Sequence, residues 1–440
     1  MATDFVYGLL PDLLLLVLIV VLMLLEMLRA DPRLARAGFI IVAVAGLAAL
    51  ADQLHGGFTA ELIEREVVVD SFALLGKAVL LLCGLGVSLG FSAARGYKFW
   101  LLVTASTLGG MLMVASAGFA TLFLGIELLS LPAFALIVHG QGRSAASEGA
   151  FKYLVLSSVA SALVLFGISM AYGLSGTLLT TAWASDFAYG GVQAKAAGLL
   201  VIAGLFLKAA VFPFHAWAPD AYASARLPVT ALMASLVKAA VVLALARILA
   251  SFPLDAASVA VVTGLAIVSI IFGNVAALGQ GRFKRLLAYS SVAHAGYMIF
   301  ALIDTTGSRT SDLLWYTAFY GLATVLACAS FAALSPDGDD DLRVLEGKFA
   351  TQPVASIVLA IAVLSLAGLP PLPGFFAKLF VFKSVIASGY LVPAVIAFVG
   401  SFLGLAYYVG IVMRLFQAAP AAAGSERVPA PMHAREQAAV

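Results

Sequence analysis

Apolar positions in this chain of 440 residues fall into long uninterrupted runs, not into the one-sided stripes of a soluble helix. Thirteen runs stand out, near residues 9–28, 37–54, 71–92, 99–117, 119–138, 151–174, 195–214, 227–250, 256–278, 285–303, 313–334, 353–386 and 391–416. A bilayer-spanning helix needs about 20 apolar residues. Strands of a membrane barrel would instead alternate polar and apolar positions over about 10 residues. The expected fold class is therefore all-α: a polytopic membrane protein of about 13 transmembrane helices. The polar connections are short, so neighbouring runs are expected to pack antiparallel.

Two runs carry breaks. The seventh contains Pro213 in "GLFLKAAVFPFHAW", and the twelfth contains Pro370, Pro371, Pro373 and Gly374 in "LAGLPPLPGFFAKLFVFK". Proline removes a backbone donor and kinks a helix. Freed backbone groups survive at membrane depth only where protein or water satisfies them. Each break lies beside a lysine, and the two occupy corresponding places in two sets of five runs. This pattern predicts a tandem inverted-repeat architecture with broken helices 7 and 12. The expected division is an N-terminal three-helix segment at 1–98, one repeat at 99–250, a second at 251–416, and a tail at 417–440. The tail is rich in Ala and Pro and holds no apolar run, so it is expected to be disordered.

Composition agrees with the runs: 63% of residues are hydrophobic and 11% charged, against about 25% charged in soluble domains. The first run, Leu9 to Leu28, is longer than the roughly 7–15 residues of a signal-peptide core. Asp4 stands where such a peptide carries positive charge, so this run reads as the first span. The net charge of +2 says little, but the placement of charge sets an orientation. With the N-terminus outside, the inner loops hold Arg29, Arg33, Arg36, Arg95, Lys98, Arg143, Arg226, Arg282, Lys284, Arg285, Arg343 and Lys348. The outer loops hold only Arg65, Lys195, Arg247 and Arg309. The expected topology has a periplasmic N-terminus and a cytoplasmic C-terminus. Cys83 and Cys328 lie singly in apolar runs and read as small core residues.

Four charges sit in mid-run: Glu127, Lys208, Lys238 and Lys378. A charge at the bilayer centre costs about 2.5–3.5 kcal/mol on insertion scales, and such residues usually face the bundle interior and mark ion or proton pathways. Burial disfavours a charged lysine and a nearby carboxylate favours it, so a row of such groups can carry protons under conformational control. A structural ion pair is the competing reading for each. Lys383, near the end of its run, fits snorkelling equally well, and Lys77, seven residues after Asp70, reads as a snorkelling lysine. His294, among Ser290, Ser291 and Tyr297, can link such a relay because imidazole both gives and takes protons. His215 suits loop positioning and proton uptake equally, while His139 and His433 read as loop and tail residues. No CxxC, phosphate loop or dinucleotide fingerprint is present, and no redox centre is expected in the chain.

Glu127, Lys208, His294 and Lys378 lie in stretches that resemble those of a known family. "FLGIELLSLPAF", "FKYLVLSSVASALVLFGISMAYGLSGT", "KAAVFPFHAWAPDAY", "IIFGNVAALGQGRFKRLLAYSSVAHAGYM" and "LSLAGLPPLPGFFAKLFVFKSVI" resemble the N-subunit family of bacterial NADH:quinone oxidoreductase, respiratory complex I. That family is one branch of the antiporter-like proton-conducting membrane subunits. The resemblance covers most of residues 99–416 and implies a bacterial inner-membrane subunit that couples quinone reduction elsewhere to proton translocation. It places the family's fifth-span glutamate at Glu127 and its lysines of spans seven, eight and twelve at Lys208, Lys238 and Lys378. Glu127 and Lys208 would form a switching pair, Lys238 would pass the proton along the axis, and Lys378 would be the exit-side site. The implied partners are the lipid bilayer and the other membrane-arm subunits, with no nucleic acid. NADH, FMN, iron–sulfur clusters and quinone are expected in those partner subunits and no cofactor in this chain. A subunit of a multi-subunit cation/proton antiporter, or of a membrane-bound hydrogenase, is the alternative.

Two departures stand against the family pattern. Arg226, in "ASARLPVT", replaces a residue that is usually small or proline. No apolar run follows Phe416, where a further span would be expected.

Overall fold

The structure is a computed structural model and describes residues 2–91, 96–139, 144–183, 191–251 and 254–417. Arg95, Arg143, His433 and the tail from 418 onward lie outside the described residues. Within them, eleven helices are long and apolar enough to cross a membrane. The seventh and twelfth spans are the broken ones, which completes the thirteen expected. The seventh is Val192–Lys208 followed by Trp217–Ser224, and the twelfth is Pro353–Ala367 followed by Pro373–Ala387.

Boundaries shift from the sequence reading where polar residues extend a helix beyond its apolar run. The sixth span begins at Ser144 and not at 151, because the stretch from Ser144 to Ala150 carries good helix formers. Among the described residues, the helices are joined by one short antiparallel hairpin, Ala60–Leu62 with Val67–Val69, in the loop before the third span. A second irregularity is a π-helical turn, Met233–Val237, inside the eighth span.

The burial pattern places the eighth span at the centre, since every residue of its apolar window is buried. The tenth span, Phe283–Ile303, lies almost as deep. The first, second and thirteenth spans bury a third or less of theirs. Their outer faces carry Val17, Ile41 and Val399, all well exposed, as expected of surfaces that meet lipid or another membrane subunit.

Ion pairs gather at the two ends of the bundle. At one end Asp220 binds Lys152 at 2.7 Å and Arg285 at 3.5 Å. At the other, Arg247 forks onto Asp70 at 2.7 and 3.1 Å, and Lys195 meets Asp255 at 2.9 Å.

Lys77 departs from expectation. It does not snorkel: it is 1% exposed and pairs with Asp12 of the first span at 2.5 Å. Asp12 lies two residues into the helix Leu10–Met27, where the apolar run hides it from a search for mid-span charges. A buried ammonium with a carboxylate in contact has no need to reach for the interface.

Candidate functional site

The five residues singled out by sequence occupy two polar regions. In the first, Glu127 lies on the fifth span, Phe119–Val138, and Ser130 follows it by three residues on the same helical face. Across from them the sixth span presents Ser157 and Ser161, four residues apart and also on one face. Ser161 donates its hydroxyl hydrogen to the Glu127 carboxylate. Lys208 is the last residue of the helix Val192–Lys208, and its ammonium donates to Ser130 Oγ at 2.9 Å and to Ser157 Oγ at 3.0 Å.

Glu127 and Lys208 thus do not form a direct ion pair; Ser161 holds the one, Ser130 and Ser157 hold the other, and a small cavity lies between these serines. A cavity of about 20 Å³ touches Glu127 and Ser161, and one of about 10 Å³ touches Lys208. Both are lined by Ser130, Tyr153 and Ser157. Spaces of that size with several polar walls suit a single water each.

The break in the seventh span is held by side chains that take over the freed backbone groups. Trp217 Nε1 donates to Leu207 O at 2.8 Å, and Ser269 Oγ accepts from Phe212 N at 3.0 Å. Ala210 takes the left-handed conformation, with φ of 58°, which turns the chain sharply just after Lys208. His215 stacks on Phe212 and Phe272, and its Nδ1 is buried without a hydrogen-bond partner.

The second region is built around the tenth span. Lys238 directly follows the π-helical turn. Such single-turn bulges reorient the residues next to them and recur at functional sites. Its ammonium donates to Ser291 O at 2.5 Å. His294 Nδ1 lies 2.9 Å from Tyr316 Oη, and its Nε2 lies 3.4 Å from Tyr408 Oη. Tyr408 also shares a hydrogen bond with Ser290 Oγ.

Lys378 completes the set. Its ammonium donates to Ala367 O at 2.8 Å and lies 4.9 Å from the centre of the Tyr297 ring. Ala367 ends the first half of the broken twelfth span, so the cation sits at the negative end of that helix dipole. The second half enters very closely: a Cβ on Gly374 would fall 1.8 Å from Ser365 O. Only glycine allows that approach, in which Gly374 N donates to Ser365 Oγ at 3.0 Å.

All three lysines and His294 are 8% exposed or less, whereas Glu127 is half-buried on the flank of the bundle. None of the three lysines has a carboxylate within ion-pair distance among the described residues. Among the described residues, no hydrogen bond joins the two regions. Where the Lys208 cavity meets the eighth span, its wall is Val237 and Val241. By sequence Lys238 belongs with the first five-helix set, but its ammonium reaches into the second.

Sequence reasoning singled out Ser290, Ser291 and Tyr297 but missed Ser130, Ser157, Ser161, Tyr316 and Tyr408, which carry the other contacts. Ser157 and Ser161 left a trace in their four-residue spacing. Tyr316 and Tyr408 left none, being tyrosines in apolar runs with no charge beside them.

Comparison with known proteins agrees with this architecture. Residues 116–404 match the transmembrane family described as NADH:quinone oxidoreductase/Mrp antiporter. The chain is 54% identical over 419 residues to NADH-quinone oxidoreductase subunit N of Pelobacter propionicus, covering 95% of this chain and 90% of that one. A chain of respiratory complex I from Thermus thermophilus superposes with a TM-score of 0.83 at 33% identity, covering 93% of this chain and 91% of that one. A chain of the Mrp complex from Dietzia sp. shares the fold, with a TM-score of 0.88 at 22% identity, over 96% of this chain and 82% of its own length. The chain belongs to the NADH:quinone oxidoreductase/Mrp antiporter family of membrane subunits, on the branch of complex I subunit N.

Proposed function

We propose that this chain translocates protons in the membrane arm of an NADH:quinone oxidoreductase, along Glu127, Lys208, Lys238, His294 and Lys378. The observation that carries the reading is the set of three buried lysines without ion-pair partners. Each ammonium is held by hydroxyl or carbonyl oxygens alone. A lysine held in this way can lose and regain its proton without a carboxylate being stranded, which a tight buried ion pair does not permit.

In the first region the proton passes between Glu127 and Lys208 by way of Ser161, Ser157 and Ser130. Hydroxyls serve this step because each both donates and accepts. In the second region Lys238, Tyr408, His294 and Tyr316 lead toward Lys378. Val237 and Val241 separate the two regions, and transfer from Lys208 to Lys238 requires that this wall open to water. Residues 99–250 and 251–416 are then two half-channels, preceded by the three-helix segment 1–98. The cation bias of the loops puts the N-terminus in the periplasm and the C-terminus in the cytoplasm. NADH, FMN, iron–sulfur clusters and quinone belong to partner subunits, so the chain's own part is proton transfer.

The test uses Glu127→Gln, Lys208→Met and Lys378→Met in inverted membrane vesicles, with assembly of the complex checked on a native gel. NADH-driven quinone reduction and the proton gradient are followed together. The expected result is an assembled complex in which both fall severalfold. If all three assembled variants keep both at the wild-type level, these charges are structural and the relay is wrong.

A further inference from the structure

On the eleventh span, Arg309–Leu334, a buried carboxylate has no place in the relay above. Asp312 is 8% exposed, and its Oδ2 is buried with no hydrogen-bond partner. A buried carboxylate oxygen without a donor is costly, so its retention calls for an explanation. Its position in the first turn favours the helix dipole. An exposed carboxylate would serve that purpose as well, so the dipole does not account for the burial.

Helical spacing supplies the connection. Asp312, Tyr316 and Tyr320 recur every four residues and share one face. Tyr316 Oη bonds His294 Nδ1 at 2.9 Å, and the His294 ring packs on Tyr320 with centroids 4.7 Å apart. Asp312 is therefore one turn beyond the histidine's partner, with about 5–6 Å between Cβ atoms. Lys378 lies on the twelfth span, where buried Ser384 follows six residues, about 9 Å, further on.

The groups around Asp312 come from three elements. Ser384 and Lys383 lie on the twelfth span, Ser308 at the start of Asp312's own helix, and Asp304 at the end of the tenth. Beyond them the polar path reaches the surface. Asp304 accepts from Ser388 Oγ at 3.0 Å and from Thr306 Oγ1 at 2.7 Å, and Thr305 and Thr306 are exposed.

We infer that Asp312 is a proton-carrying carboxylate that extends the His294–Tyr316 pair, past buried Asp304 and half-buried Ser388, to the surface of the bundle at Thr305 and Thr306. In this step His294, made an imidazolium by a proton from the relay, gives its Nδ1 proton to Tyr316 Oη while the Tyr316 hydroxyl gives its own to Asp312 through one water. The histidine and the tyrosine are left neutral and Asp312 becomes the protonated acid. Release past buried Asp304 to the exposed Thr305 and Thr306 returns Asp312 to the carboxylate. The inference rests on the relay proposed above.

The test compares Asp312→Asn, Asp312→Ser and Asp312→Glu in the assembled complex, with Lys378→Met alongside. Proton gradient and quinone reduction are measured in inverted vesicles. The expected result is a severalfold loss of both in the two neutral variants, with recovery in Asp312→Glu. If an assembled neutral variant pumps like wild type while Lys378→Met does not, Asp312 carries no proton and only this inference falls. If Lys378→Met also pumps normally, the relay itself is wrong. If neither neutral variant assembles, Asp312 is a folding element and the inference is overturned.

Discussion

The two polar regions solve one problem with different materials. Around Glu127 and Lys208 the contacts are made by serines on two neighbouring helices, with small cavities between them. Around Lys238, His294 and Lys378 they are made by backbone carbonyls and tyrosines from several spans, packed ring against ring. Serine is short, so the first region reaches the flank of the bundle through a half-buried glutamate and leaves room for water. Tyrosine fills space, so the second region is walled by rings around one cavity of about 10 Å³ beside His294, Tyr316 and Tyr320, and its hydroxyls meet the histidine at both nitrogens. In the proposed relay the first region is then the more adaptable and the second the more fixed by ring packing.

The Asp12–Lys77 pair is the contrasting case, a buried lysine that does have its carboxylate. It gives the sharpest check on what an ion-pair partner is worth in this bundle. Removing one member of a buried pair costs about 3–5 kcal/mol, while replacing both by apolar residues is often neutral or better. Lys77→Met and Asp12→Leu should each lower the thermal inactivation midpoint of the solubilised complex, and the double variant should recover most of the loss. If the double variant is as unstable as the singles, charge is not what the pair contributes.

A smaller effect separates serine from tyrosine. Ser130→Ala with Ser157→Ala removes two hydroxyls from a cation, and bonds to charged groups are worth about 1.5–3 kcal/mol. Tyr316→Phe removes a neutral bond, worth about 0.5–1.5 kcal/mol. The serine double variant should therefore be the less stable by thermal inactivation. The reverse order would place the rigid scaffold in the wrong region.

The smallest effect concerns Asp304, buried just beneath the exposed Thr305 and Thr306 beyond the second region. Burial would raise its carboxyl, but hydrogen bonds from the Thr306 backbone and from the hydroxyls of Thr306, Ser388 and Ser308 prevail and hold it below the ordinary carboxylate range. A carboxyl lowered by folding adds stability above its unfolded pKa of about 3.9, and that contribution is lost as pH falls through the folded value. The stability difference between wild type and Asp304→Asn should then be constant near neutrality and shrink under acid. A difference independent of pH would assign Asp304 a packing role alone.

Much of this was legible in the sequence because a bilayer imposes strict rules on it. Uninterrupted apolar runs gave the spans, and prolines in two of them marked the breaks beside Lys208 and Lys378. Charges that hydrocarbon should exclude marked the relay. What stayed hidden depends on neighbours distant in sequence. Serine hydroxyls are common in membrane helices and can bond their own backbone, as Ser130 does to Ile126 O at 2.7 Å, so the one that also holds a lysine looks like any other. Tyr408 meets His294 across 114 residues of chain. The π-helical turn before Lys238 has no proline or glycine to announce it. Asp12 sits at the edge of the first run, and without it Lys77 could only be read as a lone lysine near an interface.

In the proposed relay, the valine wall beside the Lys208 cavity is the point at which the two regions are kept apart and yet exchange a proton. The most direct test is Val241→Ser in inverted vesicles: NADH-driven quinone reduction is measured with and without an uncoupler, beside the proton gradient. A hydroxyl in that wall should admit water at rest and join the regions. The expected result is an assembled complex with a weakened gradient and little stimulation by the uncoupler. An assembled Val241→Ser complex with the wild-type gradient and full uncoupler response would mean that the wall does not separate the half-channels, and the two-region account would fail.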